Sequence, residues 1–137
     1  MRTELPDLVC VDPCRVDEIW PHAKHLIRSA IEKTNLSDFD DIERDVLGGK
    51  QLLWLAWNGK EIEAAATTQL VGVNCKPICV LTACAGHHRE RWLPLFEKIE
   101  KYAKDEDCST LRIYGRKGWE RVLDGYRVEY VILEKKL

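Results

Sequence analysis

Two kinds of hydrophobic spacing alternate along this chain, and each predicts a different element. Over residues 16–33 the apolar positions recur every three or four residues, which is typical of one face of an amphipathic helix. The same spacing predicts a second helix that is capped by Ser37 or Asp38 and ends at Leu47. A third helix is predicted over residues 92–105, with its charged side chains on the outer face.

Short apolar or alternating runs between these helices predict strands. Asn58 and Gly59 form a strong hairpin signal, so the runs at 51–57 and 61–73 should pair as a long antiparallel ribbon. The run at 78–85 is apolar throughout, as expected for a strand that is covered on both faces. Further strands are predicted at residues 8–11, 110–114 and 126–134, with a short helix at 119–123.

The resulting order is strand, two helices, three strands, helix, strand, short helix, strand. It predicts one α+β domain over residues 1–137, a length at which a single chain can bury a real core. Its central sheet would be mixed but mostly antiparallel, with about six strands flanked by about four helices.

Composition and charge exclude several classes of partner. Apolar residues make up 45% of the chain and charged residues 32%, which is typical of a folded protein. A net charge of −2 gives no general attraction to nucleic acids or anionic membranes, so neither is expected as a partner. Because the chain also lacks a spanning apolar stretch and a signal-peptide profile, the cytoplasm is the expected location.

The six cysteines favour reduced thiols over disulfides or a metal site. Cys79 and Cys84 lie inside an apolar run and are interpreted as small buried hydrophobic residues. Cys10 and Cys14 are four residues apart, as are Cys75 and Cys79, whereas zinc sites favour tighter pairs on a knuckle turn. We therefore expect no metal.

The end of the apolar run at 78–85 is the strongest candidate for chemistry. The run breaks at Gly86 and is followed by two histidines and two arginines that open the third helix. Free backbone N–H groups beside cations could bind an anion such as phosphate, although an ordinary solvated turn has the same pattern. Further basic residues could line the same cleft or pair with nearby acids as a solvated face. They are Arg112, Arg116, Lys117, Arg121 and Arg127.

The order of elements, with Leu-Asp-Gly-Tyr at 123–126 before the last strand, resembles the GNAT superfamily of acetyl-CoA-dependent N-acetyltransferases. The resemblance covers nearly the whole chain, and the C-terminal half looks most like small GNAT-like proteins of bacteriophages and prophages. It implies that the strand at 78–85 contacts the pantetheine arm through its backbone and that the following turn cradles the pyrophosphate. The cofactor-binding residues carried over in this way are Val80, Thr82, Ala83, Ala85, Gly86, His87, His88, Arg89 and Arg91.

The chain departs from the family pattern where the chemistry is concentrated. Glu90 and Trp92 stand where the family has small residues beside the pyrophosphate, and Arg121 stands where a proton-donating tyrosine is common. The strand at 78–85 contains no carboxylate or histidine that could act as a base. No catalytic residue is therefore assigned. The remaining candidates for proton transfer are Tyr114, Tyr126, His87 and His88.

Two functional hypotheses remain open. The first is an enzyme that transfers an acetyl group from acetyl-CoA to an unidentified amine. The second is a catalytically degenerate bacteriophage protein with a structural, assembly or protein-binding role in the virion, in contact with other proteins or with copies of itself. Trp54 and Trp92 are predicted in the core, whereas Trp57 and Trp119 are predicted at a partner surface.

Overall fold

The computed structural model describes residues 4–73 and 76–137, apart from the side chain of Val73. Their helices and strands follow the predicted order as far as the short helix near residue 120. The strands are β1 (Asp7–Cys10), β2 (Leu52–Trp57), β3 (Ile62–Val73), β4 (Lys76–Gly86) and β5 (Leu111–Ile113). The α-helices are α1 (Val16–Thr34), α2 (Phe39–Leu47), α3 (Arg89–Trp92), α4 (Phe96–Asp105) and α5 (Trp119–Val122), and a 3-10 turn, Pro13–Arg15, precedes α1.

The predicted boundaries of the first half of the chain are confirmed to within one or two residues. Asp38 caps α2, because its side chain accepts a hydrogen bond of 2.8 Å from the backbone N–H of Asp40. In the β2–β3 hairpin, the side chain of Asn58 accepts from the backbone N–H groups of Lys60 and Glu61, and Gly59 takes a φ of +95°. Local sequence chemistry therefore sets these turns.

The helix predicted over residues 92–105 is interrupted. Pro94 lies in a 3-10 turn, Leu93–Leu95, that separates α3 from α4. Proline lacks an N–H group and clashes with the preceding turn of an α-helix, so it resets the helix at this point. Residues 4–73 and 76–137 thus form four helical stretches, since α3, the 3-10 turn and α4 follow one another directly.

The five strands form one sheet in the order β1-β2-β3-β4-β5. The first four strands are antiparallel to their neighbours, and β5 runs parallel to β4. Two β-bulges interrupt the pairing. Glu63 is an extra residue of β3 opposite β2, and Thr82 is an extra residue of β4 opposite β3.

Both faces of the sheet are covered by a hydrophobic cluster. On one face, α1 and α2 pack against side chains such as Leu53, Leu55 and Ala83. On the other face, α4 and its neighbours pack against Trp54 and Leu81. The prediction that β4 is covered on both sides is confirmed.

The prediction of about six strands is wrong, because the described sheet has five. Residues 126–134, predicted as the last strand, form no helix or strand. The backbone N–H of Val128 donates to the Glu120 carboxylate at 2.8 Å, and the side chains that follow it are largely exposed. A β-prone sequence without a burying partner does not form a stable strand.

Candidate functional site

The sheet opens between β4 and β5. The two strands pair only from Cys79 to Leu81 on β4, and the last contact is a hydrogen bond of 3.0 Å from the backbone N–H of Tyr114 to the carbonyl of Leu81. β4 continues to Gly86, whereas the chain after β5 turns away. In the described residues, the second half of β4 therefore has no strand along this edge.

The bulge at Thr82 explains why the strands separate at this point. It falls directly after Leu81, the last β4 residue paired with β5, and a bulge bends its strand and increases the local twist. The Thr82 hydroxyl is buried and lies 2.7 Å from the Thr67 hydroxyl and 2.7 Å from the Gln51 side-chain oxygen. This buried network fixes the bulge.

Beyond the bulge, alternate main-chain groups of β4 face the open edge. His87 donates its backbone N–H to the carbonyl of Glu63 at 3.0 Å, and Ala83 and Ala85 belong to the same hydrogen-bonded set toward β3. By alternation, the N–H and C=O groups of Cys84 and Gly86 point away from β3. The open edge thus offers main-chain donors and acceptors at two positions.

The predicted strand residues are not equivalent in the structure. Val80 lies in the segment where β4 is paired on both edges, opposite Gln69 and Arg112. Ala83 and Ala85 point their side chains toward the cluster under α1 and α2. Sequence reasoning did not single out the main chain of Cys84, because the bulge that sets this alternation has no signature in the sequence.

Gly86, at the end of β4, lies so close to β3 that no side chain fits there. A Cβ atom at Gly86 would lie 2.5 Å from the Cβ of Ala64 and 2.5 Å from the carbonyl oxygen of Glu63. The absence of a side chain at Gly86 therefore allows β3 and β4 to approach closely. It does not free space for a phosphate.

Arg91, which was expected to contact the pyrophosphate, instead forms an ion pair with Glu63. The Arg91 Nε donates to one Glu63 oxygen at 2.6 Å and an Nη donates to the other at 3.0 Å, while the same Nη lies 2.6 Å from the carbonyl of Glu4. Asn58 donates to Glu63 at 2.9 Å. The side chain of Glu63 is 7% exposed, and its hydrogen bond with Arg91 lowers the carboxyl pKa.

The turn between β4 and α3 consists of His87 and His88. The carbonyl of His87 accepts a hydrogen bond of 2.9 Å from the indole N–H of Trp92. His88 is exposed, takes a left-handed φ of 54° and has its ring nitrogen 4.0 Å from the carboxylate of Glu90. Arg89 is exposed at the start of α3. Glu90, which is exposed, and Trp92, which is buried, therefore follow the turn at the positions where the resemblance leads us to expect small residues.

Trp119 lies against this indole and is half-buried, and its place at a partner surface stays a prediction. The ring centroids of Trp119 and Trp92 are 6.3 Å apart, and those of Trp119 and Phe96 are 5.6 Å apart. These contacts join α5 to α3 and α4. Trp54 and Trp92 are buried, as predicted, and Trp57 is 40% exposed.

The groups considered for proton transfer lie on different elements, since His87 and His88 follow β4, Tyr114 follows β5 and Tyr126 follows α5. The hydroxyl of Tyr126 donates to the Glu100 carboxylate at 2.6 Å, and burial together with this bond raises the pKa of Tyr126 above its usual range. Tyr114 is partly exposed and follows β5 at the point where the strands separate. Burial raises the pKa of the Cys84 thiol to about 12, so this thiol stays protonated near neutral pH and is a poor nucleophile.

An open cavity lies beside β5, α4 and the C-terminal segment, and Tyr114 and Trp119 are among the residues that line it. It measures about 960 Å³, and of the described residues 82–92 none lines it. Its basic side chains are partly engaged, since Arg127 pairs with Glu129 at 2.8 Å and Arg112 lies 5.1 Å from the ring centre of Tyr130. These contacts agree with the interpretation of a solvated face.

In residues 4–73 and 76–137, no cluster of three or more His, Cys, Asp or Glu side chains could hold a metal ion. Cys10 and Cys14 are exposed, and Cys75 lies outside the described residues. No helix of the described chain is both long and apolar enough to span a bilayer.

Solved structures show which fold this geometry represents. An aminoglycoside acetyltransferase from an uncultured soil metagenomic sample, in complex with sisomicin, superimposes with a TM-score of 0.72 at 11% identity over 97% of this chain and 96% of its own. A ribosomal-protein-alanine N-acetyltransferase from Brucella melitensis gives a TM-score of 0.66 at 12% identity, over 96% of this chain and all of its own. An aminoglycoside N-acetyltransferase in complex with CoA gives 0.64 at 14% identity, over 99% and 97%.

The fold is that of the GNAT acetyltransferases. No protein-family model matches the sequence, and no curated protein matches it. The structural neighbours give no support to an association with bacteriophages or virions, which was one of the two hypotheses.

Coenzyme A fits only part of this site. The open edge of β4 suits the amide groups of a pantetheine arm, which can pair with main-chain groups as a strand would. The turn does not suit a pyrophosphate, because its glycine, one backbone N–H and Arg91 are engaged by β3, and Trp92 is packed beside it. The site thus suits the pantetheine arm of the cofactor and does not suit its pyrophosphate.

Proposed function

We propose that this protein is a GNAT-fold acyltransferase that moves an acyl group from a pantetheine thioester to an amine. The observation that carries the proposal is the separation of β4 from β5, after which no strand of the described chain pairs with the outer edge of Cys84 and Gly86. The acetyltransferase neighbours support the same reaction class.

The proposed contact uses main-chain groups, so side-chain variation on β4 does not remove it. An extended pantetheine arm carries two amides and can add to a free strand edge as a peptide does. Its thioester would then lie near the point of separation, next to Leu81 and Tyr114. Acetyl-CoA is the donor that the fold suggests, and the acceptor is an amine.

A thiol-release assay tests the reaction. Purified protein is mixed with S-acetylpantetheine or acetyl-CoA and with a panel of amines that includes sisomicin and a peptide with an N-terminal alanine. We expect amine-dependent release of free thiol from S-acetylpantetheine, with a matching mass increase of the amine.

Two substitutions at one position provide the matched control. Cys84→Ala keeps the backbone N–H on the open edge, whereas Cys84→Pro removes it without breaking the ladder to β3. We expect the alanine variant to retain thiol release and the proline variant to lose it, with circular dichroism to check folding. Equal rates in the two folded variants would place the donor elsewhere, and no amine-dependent release from either donor by any variant would refute acyl transfer.

A further inference from the structure

Side chains of β3, α3 and α5 pack around the β4–α3 turn. Glu63 accepts two hydrogen bonds from Arg91 and pairs its carbonyl with the N–H of His87. Both interactions use hydrogen-bond donors, the Arg91 guanidinium and the His87 N–H, that a bound anion would require. The Glu63 side chain that reaches Arg91 belongs to the extra residue of the β3 bulge, where side chains are re-aimed.

Aromatic side chains form a further set of contacts, which joins α5 to the β4–α3 turn. The indole of Trp92 is tied to the carbonyl of His87 at 2.9 Å, and Trp119 packs on Trp92 and Phe96. Trp119 comes from α5, on the far side of the opening between β4 and β5. The contact between the two indoles therefore closes the space between α3 and α5.

We infer that the contact between Trp119 and Trp92 closes the β4–α3 turn to the nucleotide end of coenzyme A, and that the whole cofactor binds only when α5 moves away from Trp92. The inference rests on the proposed function for the class of ligand, a pantetheine thioester. It differs in predicting that the folded protein is closed to the nucleotide end of that ligand.

α5 is built to move more easily than the rest of the α4 face. It has four residues and no side-chain cap, and Gly125 lies three residues after its end. Gly125 adopts a φ of +82°, and the residues that follow it form no strand. Besides the packing of Trp119, Val122 and Leu123, α5 is held by a hydrogen bond of 2.8 Å from the Val128 N–H to the Glu120 carboxylate, and Val128 belongs to the exposed C-terminal segment.

Gly115 offers a precise way to disturb the closed arrangement. A Cβ atom at this position would lie 2.6 Å from Cδ1 and 2.8 Å from Nε1 of Trp119. Gly115→Ala should therefore push the indole out of its place. Gly118→Ala is the matched control, because the nearest atom to its Cβ is the end of Arg121 at 4.0 Å.

The experiment measures coenzyme A binding by isothermal titration for wild type, Gly115→Ala, Gly118→Ala and Trp119→Ala. If the closed state dominates, opening it raises the apparent affinity by the inverse of the open fraction, so we expect about tenfold tighter binding or more in Gly115→Ala and Trp119→Ala. Gly118→Ala should match wild type. Quenching of tryptophan fluorescence by acrylamide should also increase in Gly115→Ala, as its indoles become accessible.

The outcomes separate this inference from the proposed function. If wild type binds coenzyme A as tightly as both opened variants, Trp119 does not block the site and the inference is wrong, whatever the enzyme assay shows. If neither folded opened variant gains affinity, the inference is also wrong. If affinity rises but no variant releases thiol in the presence of amines, the inference stands and acyl transfer is refuted.

Discussion

The sheet has two sides along its strand order, one from β1 to β4 and one beyond β4, and they are held together by different means. From β1 to β4, neighbouring strands pair over four to ten positions, and helices cover both faces. On the other side, β5 pairs with β4 at three positions, and residues 126–137 form no strand. β4 belongs to both sides, since its first half is paired on both edges and its second half on one.

The difference shows that burial decides where a β-prone sequence becomes a strand. The β2 sequence LLWLAW and the segment VEYVIL at 128–133 are both rich in residues that favour strands. In β2, Leu53 is 1% exposed, whereas in the C-terminal segment Val131 is 76% exposed. Only the first segment lies between two layers of helices.

The largest expected effect concerns the well-packed side. Trp54→Ala would remove a buried indole that donates to the Thr68 hydroxyl at 2.8 Å and whose ring centre lies 5.1 Å from that of Tyr102. We expect it to lower the free energy of unfolding by about 3–5 kcal/mol, as is typical of buried aromatic residues. Urea unfolding followed by circular dichroism measures the change.

Trp57→Ala is the control for that prediction. It removes the same side chain from the same strand, but Trp57 is partly exposed and lies at the strand end. We expect a loss of about 1 kcal/mol or less. Equal losses for the two variants would show that the packing of the α4 face does not stabilise this side of the sheet.

Most of the fold could be predicted from local patterns. The helices from Val16 to Leu47, the Asn58–Gly59 turn and the apolar β4 each have a strong local signal, and each is present as predicted. The failed strand at 126–134 had a local signal as well. What it lacked was a partner layer, which is a property of the whole molecule and cannot be read from periodicity.

The candidate site could be predicted less completely, for a geometric reason. Without the extra residue at Thr82, Gly86 would lie opposite Glu63, and the turn would meet different neighbours. A bulge of one residue therefore decides that Glu63 faces His87 and can reach Arg91. The contact between Trp92 and Trp119 depends in turn on the path of α5, which no local pattern of the sequence determines.

A second prediction concerns Glu63, at the boundary between the two sides. Glu63→Gln removes the charge from a largely buried carboxylate that accepts two hydrogen bonds from Arg91. We expect a loss of about 1.5–3 kcal/mol at neutral pH, as for hydrogen bonds to charged groups. Glu61→Gln, an exposed neighbour in the same turn, should change stability by about 0.5 kcal/mol or less.

The lowered pKa of Glu63 predicts how the stability difference between wild type and Glu63→Gln changes with pH. Because Arg91 lowers the Glu63 pKa in the folded state below its ordinary value of 4.5, the ionised form stabilises the fold above that pH. This contribution is lost as the pH falls through the folded pKa. The difference between wild type and Glu63→Gln should therefore shrink below about pH 4.5, and a constant difference down to acid pH would contradict the ion pair.

The smallest expected effect lies in the C-terminal segment. Leu133 is 91% exposed, so Leu133→Ala should change the free energy of unfolding by less than about 0.5 kcal/mol. Leu53→Ala makes the same chemical change in β2 and should cost about 2–5 kcal/mol, because Leu53 is buried under α1 and α2. A loss above about 1 kcal/mol for Leu133→Ala would mean that the segment is buried in solution. The contrast between the two sides would then disappear, because residues 126–134 would have a packing partner after all.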